Sequence, residues 1–284
     1  MRTNKFVLTI GFFTLFALAA CVRAAPPEPT ATLAPTKTFT LAFTESPEPT
    51  LTPTPFEAIV DEDRSNCVVS APPAGYGEWF QKYCNAGGVP ILASQYVSDI
   101  SVQQAYYVVT NFFAPIPDWK QAFIDTGGRF VIYDFDHETI LDIPSTRLFD
   151  FVNEGGGVFI SENSLTISYE NDLLCVDGLK SNYAIHELAH AIDFTSLQAS
   201  QEWEKARNFA FGTAKNQSLW GGAYAMTNKT EYWAEGATAY FNVYWDPASA
   251  NERVDREELA TYDPILFELL DQTFHGFEWT PTCP

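Results

Sequence analysis

The five residues His186-Glu187-Leu188-Ala189-His190 place two of the chain's four histidines and one acid inside an otherwise apolar run. Asn182 to Phe194 contains neither Gly nor Pro, and Ala184, Leu188, Ala189 and Ile192 recur at helical spacing, which predicts a helix. Residues four apart lie one turn above each other, so His186 and His190 share a face. Two imidazoles so placed can ligate one Zn²⁺, and Glu187, on the adjoining face, can reach a water at that metal. In that reading the polar groups face a metal cleft. In the plainer one the histidines bond backbone groups, and their spacing is coincidence.

A catalytic zinc needs a third protein ligand and an open position. The metzincin pattern would place a glycine at position 193 and a histidine at 196, whereas the sequence has Asp193 and Ser196, which rejects that class. A carboxylate from a second helix is the remaining common solution. Glu231 and Glu235 are four apart in a segment otherwise rich in aromatics and alanine, with Thr227 or Asn228 as N-cap and Asp246-Pro247 as its expected end. One carboxylate could ligate the metal while the other orients a ligand imidazole. Read as residues alone, Glu231 could equally complement the helix dipole and Glu235 be a surface acid.

Tyr224, Thr227, Asn228, Glu231, Tyr232, Trp233, Ala234 and Glu235, following His186-Glu187-x-x-His190 by some forty residues, resemble the gluzincin metallopeptidases. Within that group they resemble the family of anthrax toxin lethal factor. The resemblance covers residues 174–241 most strongly and implies Glu231 as third zinc ligand, Glu235 as an acid that orients a ligand imidazole and Tyr224 as a phenol that stabilises the oxyanion. It also implies one Zn²⁺ as cofactor and hydrolysis of a peptide or protein substrate. Leu188 stands where the toxin has an aromatic residue, Gly236 replaces a good helix former, and the toxin's receptor-binding and docking domains have no room here. A catalytically silent zincin-fold lipoprotein acting as a binding module is the alternative, and cleavage of a nonpeptide amide would use the same metal chemistry.

The chain's start bears on where such chemistry would take place. Arg2 and Lys5 precede an apolar run from Phe6 to Ala20, short for a permanent membrane span and suited to an export signal. It ends in Leu18-Ala19-Ala20-Cys21, which resembles the lipobox of bacterial lipoproteins, where the cysteine is acylated and becomes the mature N-terminus. Residues 1–20 are thus expected to be a lipoprotein signal peptide. Residues 21–55, dominated by Pro and Thr, form a disordered tether, and residues 56–284 form the folded domain. The expected location is lipid-anchored, on the extracytoplasmic face of a bacterial membrane.

Four further cysteines, an even number in an exported chain, argue for two disulfides. Pairing Cys67 with Cys84 and Cys175 with Cys283 joins near neighbours and pins the C-terminal tail. None has the Cys-x-x-Cys spacing of a zinc finger. A net charge of −20 excludes a nucleic-acid footprint, which would require a basic stripe.

The elements that must hold these residues can be read coarsely. Val102, Ala105, Tyr106, Val109, Phe112 and Phe113 recur at helical spacing, and Asp118 to Thr126 reads as a short helix closed by Gly127. Phe130 to Tyr133 and Val158 to Ile160 read as strands, with Gly157 to Ser161 expected at a sheet edge above the cleft. Ser200 to Phe211, Asn228 to Trp245 and segments on both sides of Pro264 read as helices. The expected fold class is α+β: a two-lobed zincin-like metallopeptidase fold, with a mixed α/β first lobe carrying the His-Glu-x-x-His helix and a mainly helical second lobe.

Overall fold

The structure is a computed structural model and describes residues 62–144, 146, 157–176, 178, 182–197, 200–249 and 251–284. The export segment, Cys21, the tether, Gly155 and Gly156 lie outside the described residues.

A five-stranded sheet and eight helices make up the described fold, which is α+β. Strands β1 (Lys82–Ala86) and β2 (Val89–Ala93) form a hairpin across Gly87 and Gly88. Helices α1 (Asp99–Phe113) and α2 (Pro117–Asp125) then cross back to β3 (Arg129–Tyr133), which runs parallel to β2. Ser98 caps α1 by accepting the Ser101 N–H, and Pro117 opens α2 at a position where no N–H is needed. Strand β4 (Val158–Ile160) is antiparallel to β5 (Leu165–Tyr169), and β5 inserts parallel to β3. The order is β1-β2-β3-β5-β4, so Val158–Ile160 forms a sheet edge.

Period-two alternation distributes the strands between two cores. Ile91, Ala93, Phe130 and Ile132 join the larger core with the helices. Leu92, Val131, Tyr133, Leu165 and Ile167 face the other way and are covered by Phe80, Ile140 and Ile143.

After the short helix α3 (Glu170–Leu173) comes α4 (Tyr183–Ile192), capped by Asn182, whose side chain accepts the Ile185 N–H. Ile185, Leu188 and Ile192 are fully buried, each contributing roughly 1.5–3 kcal/mol. The helix continues into a wider π turn, Asp193–Leu197. Helix α5 (Gln201–Asn216) runs a turn longer than the apolar pattern predicts.

Helix α6 (Lys229–Tyr240) is shorter than expected: it does not continue to Trp245 or stop at Asp246-Pro247. Asn242 takes a left-handed φ of 62°, its N–H bonds the Ala239 carbonyl, and the Val243 N–H bonds the Thr238 carbonyl. That is a Schellman cap, and asparagine is among the few residues that tolerate its conformation.

Helices α7 (Arg256–Tyr262) and α8 (Pro264–Thr273) meet at Asp263, whose side chain accepts the Leu266 N–H. Gly236 of α6 has a packing reason here: a Cβ added to it would stand 2.6 Å from Leu266 Cδ2. The glycine lets α6 and α8 approach closely, at a cost in helix propensity of about 1 kcal/mol.

Disulfides join Cys67 to Cys84 and Cys175 to Cys283. The second ties the loop before α4 to the C-terminal tail, which also docks on α1 through Gln104 Nε2 to the Thr282 carbonyl at 2.7 Å. No helix among the described residues is long and apolar enough to cross a membrane.

Candidate active site

Helix α4 projects His186, Glu187 and His190 into a cleft of roughly 300 Å³. Val158 and Phe159 of the edge strand, Phe194 from the turn after α4, and Tyr224, Thr230 and Glu231 also line it. Glu231 is delivered by the first turn of α6, where the Asn228 side chain accepts the N–H groups of Thr230 at 2.8 Å and Glu231 at 3.0 Å. Trp233 Nε1, two residues on, donates to the Ala189 carbonyl at 3.0 Å, so α6 is bonded directly to α4 beside the histidines.

Three atoms from these helices converge. His186 Nε2 lies 3.0 Å from Glu231 Oε2 and 3.0 Å from His190 Nε2, and His190 Nε2 lies 3.1 Å from Glu231 Oε2. The other ring nitrogen of His186, Nδ1, faces Glu235 Oε1 at 3.2 Å. With its proton held there, a neutral His186 turns an Nε2 lone pair toward a carboxylate oxygen and a second imidazole. Three acceptors around one point are satisfied together by a divalent cation, and two imidazoles with one carboxylate form a common catalytic zinc donor set. Zinc ligands at about 2.0–2.1 Å in a tetrahedral shell stand about 3.3 Å apart, close to the spacing observed. The residues present therefore fit zinc.

The same groups are strongly coupled electrostatically. Burial disfavours the charged form of His186, yet Glu231 and Glu235 overcome it and raise its pKa well above the usual imidazole value. Burial also works against ionisation of Glu231, and the two imidazoles override it, holding its carboxyl well below the ordinary range. Glu187 is raised by burial, with His186 and His190 pulling the other way. Burial, then Glu231, Glu187 and Glu235, push the Tyr224 phenol up to about 12. It therefore keeps its proton at neutral pH. Its ring centroid is 6.3 Å from that of His186, and its backbone N–H donates to Asp246 Oδ2 at 2.7 Å.

No family model matches the sequence, and no curated protein matches it. Among solved structures, the chain is similar to the Pro-Pro endopeptidase PPEP-2 from Paenibacillus alvei, with 18% identity and a TM-score of 0.43. That match covers 64% of this chain and 96% of the other. The functional reading accordingly rests on the side chains themselves.

Of the six residues singled out from the sequence, His186, Glu187, His190, Tyr224 and Glu231 line the cleft, and Glu235 meets His186 Nδ1. Two supports were not legible there. Asp172, ten residues before Asn182, accepts the first N–H groups of α4, from Tyr183 at 3.2 Å and Ala184 at 3.3 Å, where the helix dipole favours an acid. Burial nevertheless pushes its pKa up to about 7, against the pull of those bonds. At the other end, Asp193 forms a buried ion pair with Arg207 of α5, and the guanidinium lies 4.9 Å from the Trp203 ring centroid. Burial raises Asp193 to about 6, with Arg207 and His190 opposing. An acid at a helix C-terminus is opposed by the dipole, so this one depends on its guanidinium. Arg207→Met strands a buried carboxylate and is expected to lower stability by about 3–5 kcal/mol in denaturant unfolding. Adding Asp193→Asn should recover part of the loss; a single variant as stable as the parent contradicts this role.

Proposed function

We propose that the chain is a zinc-dependent endopeptidase built on the two-lobed zincin plan, with its cleft between the α/β part that carries α4 and the mainly helical part that carries α6. The observation that carries this reading is the convergence of His186 Nε2, His190 Nε2 and Glu231 Oε2 within 3.0–3.1 Å of one another, on a cleft that also holds Glu187.

His186, His190 and Glu231 would hold the ion, and Glu235 would fix the His186 ring. Zinc, when bound, supplies acidification of water and polarisation of a carbonyl. Glu187 accepts the proton of the attacking water and later delivers it to the leaving amine. The Tyr224 phenol, protonated at neutral pH, donates to the developing oxyanion. Edge strand β4 offers its free side to an extended substrate, and Phe159 and Phe194, with ring centroids 6.0 Å apart, give that side an apolar wall.

The test is cleavage of a mixed peptide library by the purified protein, with and without a chelator and with zinc restored. Cleavage that is lost on chelation and regained with zinc supports the reading. Zinc binding without cleavage of any peptide shifts it to the binding module. Tyr224→Phe, assayed alongside, should retain zinc and lower kcat by about 10²-fold, the scale of one oxyanion donor. An unchanged kcat would remove the phenol from the mechanism.

We further propose that the enzyme is exported and held at the extracytoplasmic face by a lipid on Cys21, with the Pro/Thr segment as spacer. The lipobox-like Leu18-Ala19-Ala20-Cys21 supports this. Cys21→Ser should move the protein from the membrane to the soluble fraction, and unchanged membrane association contradicts it.

A further inference from the structure

Strand β4 enters the cleft at Gly157, where there is no room for a side chain. A Cβ added to Gly157 would stand 2.6 Å from Glu187 Cγ, 2.9 Å from Glu187 Oε1 and 2.9 Å from the Ile167 carbonyl oxygen. The backbone does not require glycine at this point, since Gly157 is not among the glycines with positive φ. What requires it is the close approach of Glu187 on one side and of the Ile167 carbonyl on the other. Two residues further along, the Phe159 backbone N–H faces the Glu187 carboxylate closely enough to favour its charged form. The start of one strand therefore meets Glu187 twice, at its stem and at its carboxylate.

A glutamate side chain has several rotamers to lose when fixed, and a base displaced by about 1 Å can cost about 10²-fold in rate. His186 and His190 would be held by their ligand role, but Glu187 has no ligand bond to fix it. We propose that Gly157 is a positioning residue for Glu187: its bare α-carbon is the wall that sets where the carboxylate stem lies, while the Phe159 amide sets the carboxylate's direction. This rests on Glu187 being the base of the reaction proposed above. It also explains why a glycine stands immediately before the edge strand.

The experiment compares Gly157→Ala with the parent and with Gly212→Ala, a control whose added Cβ would meet nothing within 4 Å. Gly157→Ala should keep its zinc, lower kcat at least tenfold and leave KM within about twofold, because the methyl displaces the base and not the ligands. Gly212→Ala should match the parent in all three. A second readout needs no activity: the Tm loss caused by Gly157→Ala, measured in the parent and in a Glu187→Ala background. The loss should be smaller in the latter, where Cγ and Oε1 are gone and, of the three nearest atoms, the Ile167 carbonyl oxygen remains.

A parental kcat in Gly157→Ala, or equal Tm losses in the two backgrounds, overturns the proposal. Should Gly157→Ala not fold, recovery of folding in the double variant supports the proposal, and failure of both overturns it. A parent protein that cleaves no peptide defeats the peptidase reading instead, and the Tm comparison still decides whether Gly157 and Glu187 compete for one space.

Discussion

Glu187→Gln is expected to leave one zinc bound and to lower kcat by about 10²–10⁴-fold, with KM little changed. Glutamine has nearly the same shape, so it fills the space beside Gly157, and its carbonyl oxygen can still face the Phe159 N–H. What it cannot do is take a proton. The substitution therefore separates the base from the packing around it, which an alanine at the same position would not. Because the three proposed metal donors lie on His186, His190 and Glu231, metal content should be untouched. Elemental analysis and steady-state kinetics on one preparation check both halves. Full turnover in this variant would show that another group moves the proton and would remove Glu187 from the mechanism.

Glu231→Ala should act differently and at least as severely: it is expected to lose zinc, and activity with it. Two imidazoles remain, but a catalytic zinc normally has three protein ligands, and the carboxylate is the donor that offsets the ion's charge. Stability offers an independent reading. A metal that binds only the folded chain stabilises it by an amount that grows with its excess over Kd, about 4.1 kcal/mol at a thousandfold excess. The parent should therefore lose Tm on chelation, whereas Glu231→Ala should be indifferent to the chelator. Scanning calorimetry with and without chelator tests this, and a chelator-sensitive Glu231→Ala would place the metal elsewhere.

The site was legible in the sequence to the extent that its chemistry is local. His186 and His190 fall one turn apart on a single helix, and Glu231 and Glu235 repeat that spacing on another, so their faces follow from periodicity alone. Asn228 announces the start of the second helix because a cap acts within one turn. What stayed hidden depends on partners distant in sequence or on conformations that many residues can adopt. The end of α6 lies in the left-handed φ of Asn242, which the aromatic run to Trp245 gives no reason to expect. Strand β5, Leu-Thr-Ile-Ser-Tyr, does alternate, and that pattern was the signal available for it. Five residues beside a helix-forming stretch make a weak signal. Arg207 reads as one more charged residue on an amphipathic helix. Only folding reveals that it is fully buried against Asp193.

The central claim is that His186, His190 and Glu231 hold a single zinc ion. It is tested most directly by the metal stoichiometry of the purified parent, Glu187→Gln and Glu231→Ala, measured in parallel by elemental mass spectrometry. The predicted result is one zinc per chain in the parent and in Glu187→Gln, and none in Glu231→Ala. No zinc in the parent after exposure to it, or equal zinc in all three proteins, would contradict the account.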